Sequence, residues 1–146
     1  MTYTSLAPLV PKLRRTSQFV TQDYEDSVLL DFLIDAFPKV MTDIKREIVV
    51  DENGNLSSSI DDKVAALIVA RAAVFVLKDK ASQLATQAVK IKSGQQQVDI
   101  TNTASQVREV VAQARDEYAF MLEQYLKSKK ASPNSLVLKK FRKYDL

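Results

Sequence analysis

The chain has 146 residues, of which 46% are hydrophobic, so it can form one domain of ordinary size with a substantial core; its net charge of +3 is modest. Histidine and cysteine are absent, which excludes the usual near-neutral base, the thiol nucleophile and the commonest zinc ligands. The two glycines, Gly54 and Gly94, cannot build a phosphate-binding loop of the dinucleotide or P-loop pattern.

The first 22 residues are predicted to be an extended N-terminal arm. They contain Pro8, Pro11 and the pair Arg14 and Arg15 among short apolar patches, without a sustained period. They lack the basic start and apolar stretch of a secretory signal, so we expect synthesis in a cytoplasm.

A helical bundle domain is predicted over residues 23–130, and Asp23 is the expected cap of its first helix. Apolar residues at helical spacing define one buried face that keeps its phase across Pro38. This pattern favours either a kinked helix or two abutting helices with one shared face. The apolar face consists of Leu29, Leu33, Ala36, Phe37, Val40, Ile44 and Ile48.

A turn-rich connection follows, with an Asn-Gly pair at Asn53 and Gly54 that indicates a short hairpin. A calcium loop starting at Asp51 would need glycine at its sixth position and glutamate at its twelfth. Those positions hold Leu56 and Asp62, so a surface turn is the preferred interpretation.

The second long helix is predicted over residues 60–88, with Ser58 or Ser59 as its cap. Apolar residues occupy much of its circumference, which is typical of a buried helix, and its length of about 43 Å predicts an elongated fold. Its apolar run, residues 64–77, contains Arg71 and falls short of the roughly 20 residues of a bilayer span, so no membrane association is expected.

Residues 89–100 alternate apolar and polar side chains around Gly94, and this ribbon is predicted to be a small β-hairpin between the last two long helices. Its outward polar residues suit a wet contact with a neighbouring subunit or with DNA in a lumen; a simple helix-to-helix connector is the alternative. The candidate contact residues are Lys90, Lys92, Gln95, Gln96 and Gln97.

A third long helix is predicted to start at a capping box formed by Thr103 and Gln106, to lose order near Lys130 and to stop before Pro133. We expect its aromatic residues, at helical spacing, to belong to the core. Its predicted buried face consists of Val107, Val110, Val111, Ala114, Tyr118, Met121, Leu122, Tyr125 and Leu126.

The carboxylates do not form a convincing catalytic group. Asp61 and Asp62 lie at a predicted helix start, where they complement the helix dipole, and Glu109, Asp116 and Glu123 recur every seven residues on an outer face. A serine nucleophile would need a lysine base, and no Ser-x-x-Lys motif stands at a helix start. We therefore predict no enzymatic activity, no cofactor and no metal.

Charge is distributed unevenly along the chain, which ends in a predicted basic C-terminal arm, residues 131–146. From Lys127 onward there are seven basic residues and one acid, which leaves 14 basic and 17 acidic residues before it. A disordered solubilising end is one interpretation; the other is an arm whose apolar anchors enter a partner's groove while its cations meet acidic protein or phosphate. The candidate anchors are Leu136, Leu138, Phe141, Tyr144 and Leu146, and the candidate cations are Lys139, Lys140, Arg142 and Lys143.

The order of these segments resembles the head-tail connector proteins of tailed bacteriophages, also called adaptor or head-completion proteins. The resemblance rests on the helix at residues 27–33, the Ala-rich helix at 64–77, the ribbon at 89–100 and the last helix around 118–125. It implies a small helical bundle that assembles into a homo-oligomeric ring, typically of twelve copies, below the portal in the virion neck. Assembly would take place in the host cytoplasm.

The same resemblance implies that DNA passes through the ring's lumen without sequence-specific contact. The C-terminal arm would bind the portal protein, and the opposite face would receive the next neck or tail-completion protein. The proline-containing N-terminal arm and the longer, more basic C-terminal arm depart from the family pattern, which leaves these contacts open.

A helical protein that binds nucleic acid through its basic C-terminal arm is the alternative function. Phosphate binding weakens steeply with salt, whereas a contact anchored by aromatic residues is less sensitive. We expect the body of the protein to lack a basic helix face with interleaved aromatic residues, which disfavours this alternative.

Overall fold

The computed structural model describes residues 1–16, 21–90 and 94–130, with side chains described at 1–16, 21–86 and 105–129. The described chain is mainly helical, as predicted, with one small antiparallel pair of strands. The elements in order are β1 (Thr2–Ser5), a 3-10 turn (Ala7–Leu9), α1 (Val10–Thr16), α2 (Asp26–Ile44), β2 (Asn55–Asp61), α3 (Asp62–Lys90) and α4 (Gly94–Lys130).

The prediction of an extended N-terminal arm is wrong. β1 pairs with β2 through Thr2 opposite Asp61 and Tyr3 opposite Ile60, and the following turn and helix pack into the core. Tyr3 is buried from the strand, Leu6 directly before the 3-10 turn, and the later apolar residues from the turn and the helix that continues it. The buried members are Tyr3, Leu6, Leu9, Val10 and Leu13.

Helix α2 begins at Asp26, with Glu25 rather than the predicted Asp23 at its N-cap, and it runs through Pro38 as one continuous helix. Its apolar face is buried as predicted from Leu29 to Ile44. Lys45 ends the helix in the left-handed conformation with φ 59°, and its backbone N–H donates hydrogen bonds to the carbonyl oxygens of Met41 and Thr42.

The connection after α2 forms the predicted short hairpin as a single antiparallel bridge between Val50 and Leu56. Asp51 closes the turn because its Oδ1 accepts hydrogen bonds from the backbone N–H groups of Asn53 (2.9 Å) and Asn55 (2.8 Å). The Asn55 contact is the main reason why the pKa of the Asp51 carboxyl lies below its usual range.

Neither predicted cap of the second helix holds, because Ser58 and Ser59 lie within β2. Asp61 caps α3 instead, and its Oδ1 accepts a hydrogen bond of 2.9 Å from the backbone N–H of Val64. Asp62 then lies in the first turn, where its charge complements the helix dipole as predicted.

The predicted β-hairpin at residues 89–100 is wrong. Helix α3 continues to Lys90 and α4 already begins at Gly94, so the predicted capping box at Thr103 lies inside a helix. Four alternating residues are weak evidence for a strand, and glutamine is a good helix former. An isolated two-stranded hairpin is also only marginally stable in water.

Helices α3 and α4 pack along each other, and α2 packs on α3. The predicted buried face of α4 is confirmed: Val107, Val111, Tyr118 and Tyr125 are buried, and the other members are partly buried against the core. None of the helices in the described ranges is long and apolar enough to cross a membrane.

Candidate functional site

The predicted contact residues fall mostly outside the described structure. The C-terminal arm, residues 131–146, lies outside it, and so does Lys92. Lys90 is the last residue of α3, and Gln95, Gln96 and Gln97 lie in the first turn of α4 rather than on a ribbon; their side chains are outside the described set. Their contacts therefore remain a prediction.

A groove of mixed apolar and polar lining runs along one side of the α3 and α4 pair, with Lys12 and Thr16 of α1 also lining it, and we call it the α3–α4 groove. It consists of two adjoining depressions of about 360 and 340 Å³ that share Ala66 and Met121. Small side chains such as Ala70 and Ala114 keep its floor open. Phe120, which is 61% exposed, stands at the second depression. Large apolar side chains at such exposure are typical of interaction surfaces when they adjoin an apolar depression.

A second surface collects positive charge from three helices, and we call it the cationic cluster. It consists of Lys39 on α2, Arg71 and Lys78 on α3, and Arg115 on α4. The Phe75 ring lies beneath two of these charges: its centroid is 5.0 Å from Lys39 Nζ and 5.2 Å from Arg71 Cζ. These distances are within the range of cation–π attraction.

Arg71 is the most constrained member of the cationic cluster. Its guanidinium carbon lies 5.2 Å from the Phe75 centroid and 5.4 Å from the Tyr118 centroid, so two rings hold the group. Its Nε is buried without a hydrogen-bond partner in the part of the chain that the structure describes. A buried N–H without a hydrogen-bond partner lowers stability, because nothing compensates for the water that it loses on folding.

Like charges crowd the Lys78 ammonium. Partial burial and then the positive charges of Arg115, Arg71 and Lys39 lower the pKa of Lys78 from its usual value. Every charge that contributes to this shift is positive. The cationic cluster is therefore a local concentration of charge that carboxylates do not neutralise at Lys78.

Carboxylates beside the cationic cluster are largely engaged with other partners. Asp79 accepts hydrogen bonds from the Tyr24 hydroxyl (2.7 Å) and from Gln83 Nε2 (2.9 Å). Asp43 accepts a hydrogen bond of 2.6 Å from the Tyr118 hydroxyl. Burial first, and these carboxylates second, raise the pKa of both tyrosine hydroxyls above their usual value. Both hydroxyls consequently remain donors at neutral pH.

Lys39 and Lys78 also line a shallow depression of about 480 Å³, with Phe75 and Phe32 as its apolar part. Asp35 and Asp79 lie on the same depression. Positive and negative groups therefore adjoin each other there, whereas Arg71 and Arg115 do not line this depression.

A short stretch of α3 combines basic and aromatic residues on one face, although it falls short of the basic helix face with interleaved aromatic residues that we expect the body to lack. Arg71, Phe75 and Lys78 follow one another at spacings of four and three, so they share one face of α3. That local signal was present in the sequence. Lys39 and Arg115 could be added only once the packing of α2 and α4 against α3 was known.

Among the residues that the structure describes, no group of three or more acidic side chains is arranged to hold a metal ion. The described residues form a mainly helical structure, and the α3–α4 groove and the cationic cluster are its candidate interaction surfaces. Comparisons with protein-family models, curated proteins and solved structures give no match.

Proposed function

We propose that the chain is a structural component of the virion neck of a tailed bacteriophage. In this proposal it forms a ring below the portal that links the DNA-filled head to the tail and lets DNA pass through its lumen. The α3–α4 groove carries the proposal, because an assembling subunit must present apolar surface that a neighbour covers. The exposed Phe120 at this groove is the kind of side chain that anchors such contacts.

The helical layout supports the proposal in part. The helix at Asp26–Ile44 and the long helices Asp62–Lys90 and Gly94–Lys130 correspond to three of the four features of the connector resemblance. The fourth feature, a ribbon at 89–100, is not retained, because residues 89–90 and 94–100 belong to helices. The resemblance therefore now rests on the helices alone.

The remaining elements of the proposal concern residues outside the described structure. The C-terminal arm binds the portal protein through its apolar anchors, and its cations meet acidic groups there. The opposite face of the ring receives the next neck or tail-completion protein. The assembled ring of about twelve copies resides in the virion neck.

Assembly can be tested by native mass measurement and particle imaging of the full chain, alone and with the portal protein of the same phage. We expect a closed ring in at least one of these conditions. Phe120→Ser should weaken ring formation, whereas Val49→Ser, which removes another apolar side chain at 69% exposure, should not. A chain that stays monomeric in both conditions, or a Phe120→Ser variant that assembles normally, would contradict the proposal.

Deletion of residues 133–146 separates the leading function from its alternative, a helical protein that binds nucleic acid through the C-terminal arm. We expect the truncated chain to keep its helical circular dichroism signal and to lose binding to the portal. If it still bound the portal and lost only DNA affinity, the arm would be a nucleic-acid-binding element instead. Measurement at several salt concentrations adds a second criterion, because phosphate contacts weaken steeply with salt.

A further inference from the structure

The positive charges of the cationic cluster have no ion-pair partner among the described residues. Some other cations of the described chain do have one: Arg14 pairs with Asp26 at 2.6 Å, and Lys80 pairs with Asp23 at 2.8 Å. Asp35 and Asp79 lie beside Lys39 and Lys78, but neither forms an ion pair with a member of the cluster. Crowded cations without partners destabilise the isolated chain, so an anionic ligand would relieve the repulsion.

We propose that the cationic cluster is a binding site for the phosphate backbone of a nucleic acid. Lys39, Lys78 and Arg115 supply exposed charges on three different helices, and Arg71 supplies a guanidinium that two aromatic rings hold in place. Guanidinium and ammonium groups are the usual ligands of backbone phosphate, and a guanidinium already held in place loses less conformational entropy on binding.

The shape of the surface favours a chain of phosphates over a single small anion. Lys39 and Lys78 border a shallow depression rather than an enclosed cavity, and Arg115 is exposed on the neighbouring helix. A small anion is bound tightly when several donors converge on it inside a pocket. A polyanion can instead bind separated cations one after another, and the release of its counterions drives binding.

Asp35 and Asp79 limit the orientation of such a ligand. Both line the depression beside Lys39 and Lys78, so a phosphate placed there would meet negative charge. Arg71 and Arg115 do not line this depression, and both lie close enough to the Lys78 ammonium to lower its pKa. We therefore place the bound phosphates toward α4, with Lys39 at the edge of the site.

The test uses the full chain with the triple substitution Lys39→Gln/Lys78→Gln/Arg115→Gln. The matched control, Arg15→Gln/Lys45→Gln/Lys63→Gln, removes the same charge from exposed residues outside the cluster. Binding of fluorescently labelled double-stranded DNA of random sequence is measured by anisotropy at several salt concentrations. The wild type and both variants retain the C-terminal arm, so any contribution of the arm to DNA binding is common to all three. Circular dichroism checks that each protein is folded.

We expect the cluster variant to bind at least roughly tenfold more weakly than the control at low salt. The slope of log affinity against log salt should fall by about one for each phosphate that the variant no longer neutralises, so by about two to three in total. Equal affinities and slopes for the two variants would overturn the proposal.

Two further outcomes would also overturn it. In the first, the cluster variant keeps its DNA affinity but no longer self-associates at low salt, which would assign the cluster to the acidic surface of a second copy of this chain. In the second, inorganic phosphate binds to the cluster while DNA binding is unchanged. The measurement uses the unassembled protein, so its result does not depend on whether the chain forms a ring.

Discussion

The hydrogen bond between Tyr118 and Asp43 offers a sharp test of how α4 is held against α2. The Tyr118 hydroxyl donates to Asp43 Oδ2 at 2.6 Å, and the Tyr118 side chain is almost fully buried. Tyr118→Phe removes the hydroxyl and keeps the ring that stacks with Arg71. A hydrogen bond to a charged acceptor contributes about 1.5–3 kcal/mol. Asp43 is exposed, so water can replace the missing donor, and we expect a loss of only about 1 kcal/mol.

The assay is urea unfolding followed by helical circular dichroism, which suits a chain without tryptophan. Tyr125→Phe is the matched control, because Tyr125 is buried on the same helix without a hydroxyl hydrogen bond to any described residue. A shift in the midpoint for Tyr118→Phe and little change for the control is the expected result. Equal shifts for both substitutions would refute the assigned role of the Tyr118 hydroxyl.

The pH dependence of this contribution follows from the direction of the pKa shift. Burial, and then the hydrogen bond to Asp43, raise the pKa of Tyr118 above the ordinary tyrosine value of 10.0. The stabilisation is therefore complete below pH 10 and is lost as the pH rises above it toward the pKa of the folded state. The difference in unfolding free energy between the wild type and Tyr118→Phe should accordingly narrow above about pH 10.

Three further substitutions test the core, a helix cap and the cationic cluster by the same unfolding assay. Leu33→Ala, at a fully buried position, should cost about 2–5 kcal/mol, and a smaller loss would mean that the face of α2 is loosely packed. Asp61→Ala should cost about 1 kcal/mol because it removes the cap of α3, whereas Asp61→Ser should restore most of the loss. Arg71→Met should retain or slightly raise the free energy of unfolding, because it removes a buried Nε without a partner and leaves a thioether against Phe75 and Tyr118. A loss above about 1 kcal/mol would show that the Arg71 guanidinium itself stabilises the fold.

The long helices were predictable because their evidence is periodic and redundant. Leu29, Leu33 and Phe37 recur at helical spacing, and each additional residue in phase strengthens the same assignment. Pro38 lies within one continuous helix, and the apolar residues on both sides of it, such as Phe37 and Val40, belong to the same core cluster. Burial of a whole face outweighs the local cost of one proline.

The start of α3 was less predictable, because several candidate N-cap residues lie within a few positions of each other. Ser58, Ser59 and Asp61 are all good caps by residue type. The pairing of β2 with β1 decides among them, since it holds residues through Asp61 in an extended conformation. That pairing joins positions about 60 residues apart, so no local pattern contains it.

The segment at residues 89–100 shows the limit of short patterns. Its alternation around Gly94 indicates a ribbon, although the same residues are compatible with the end of one helix and the start of the next. Gly94 lies at the first position of α4, where glycine costs little, rather than in a hairpin turn. Helix propensity and continuity with two long helices outweigh four alternating residues.

The α3–α4 groove and the cationic cluster lie on different sides of α4, and this separation bears on both proposals. Arg115 belongs to the cluster and Gln124 lines the groove. The two residues are nine positions apart, which at about 100° per residue places them about half a turn from each other around the helix axis. A neighbouring subunit that fills the groove would therefore leave Arg115 uncovered. Ring assembly and phosphate binding can thus occur on one molecule at the same time, and Phe120→Ser should weaken the first without changing the second.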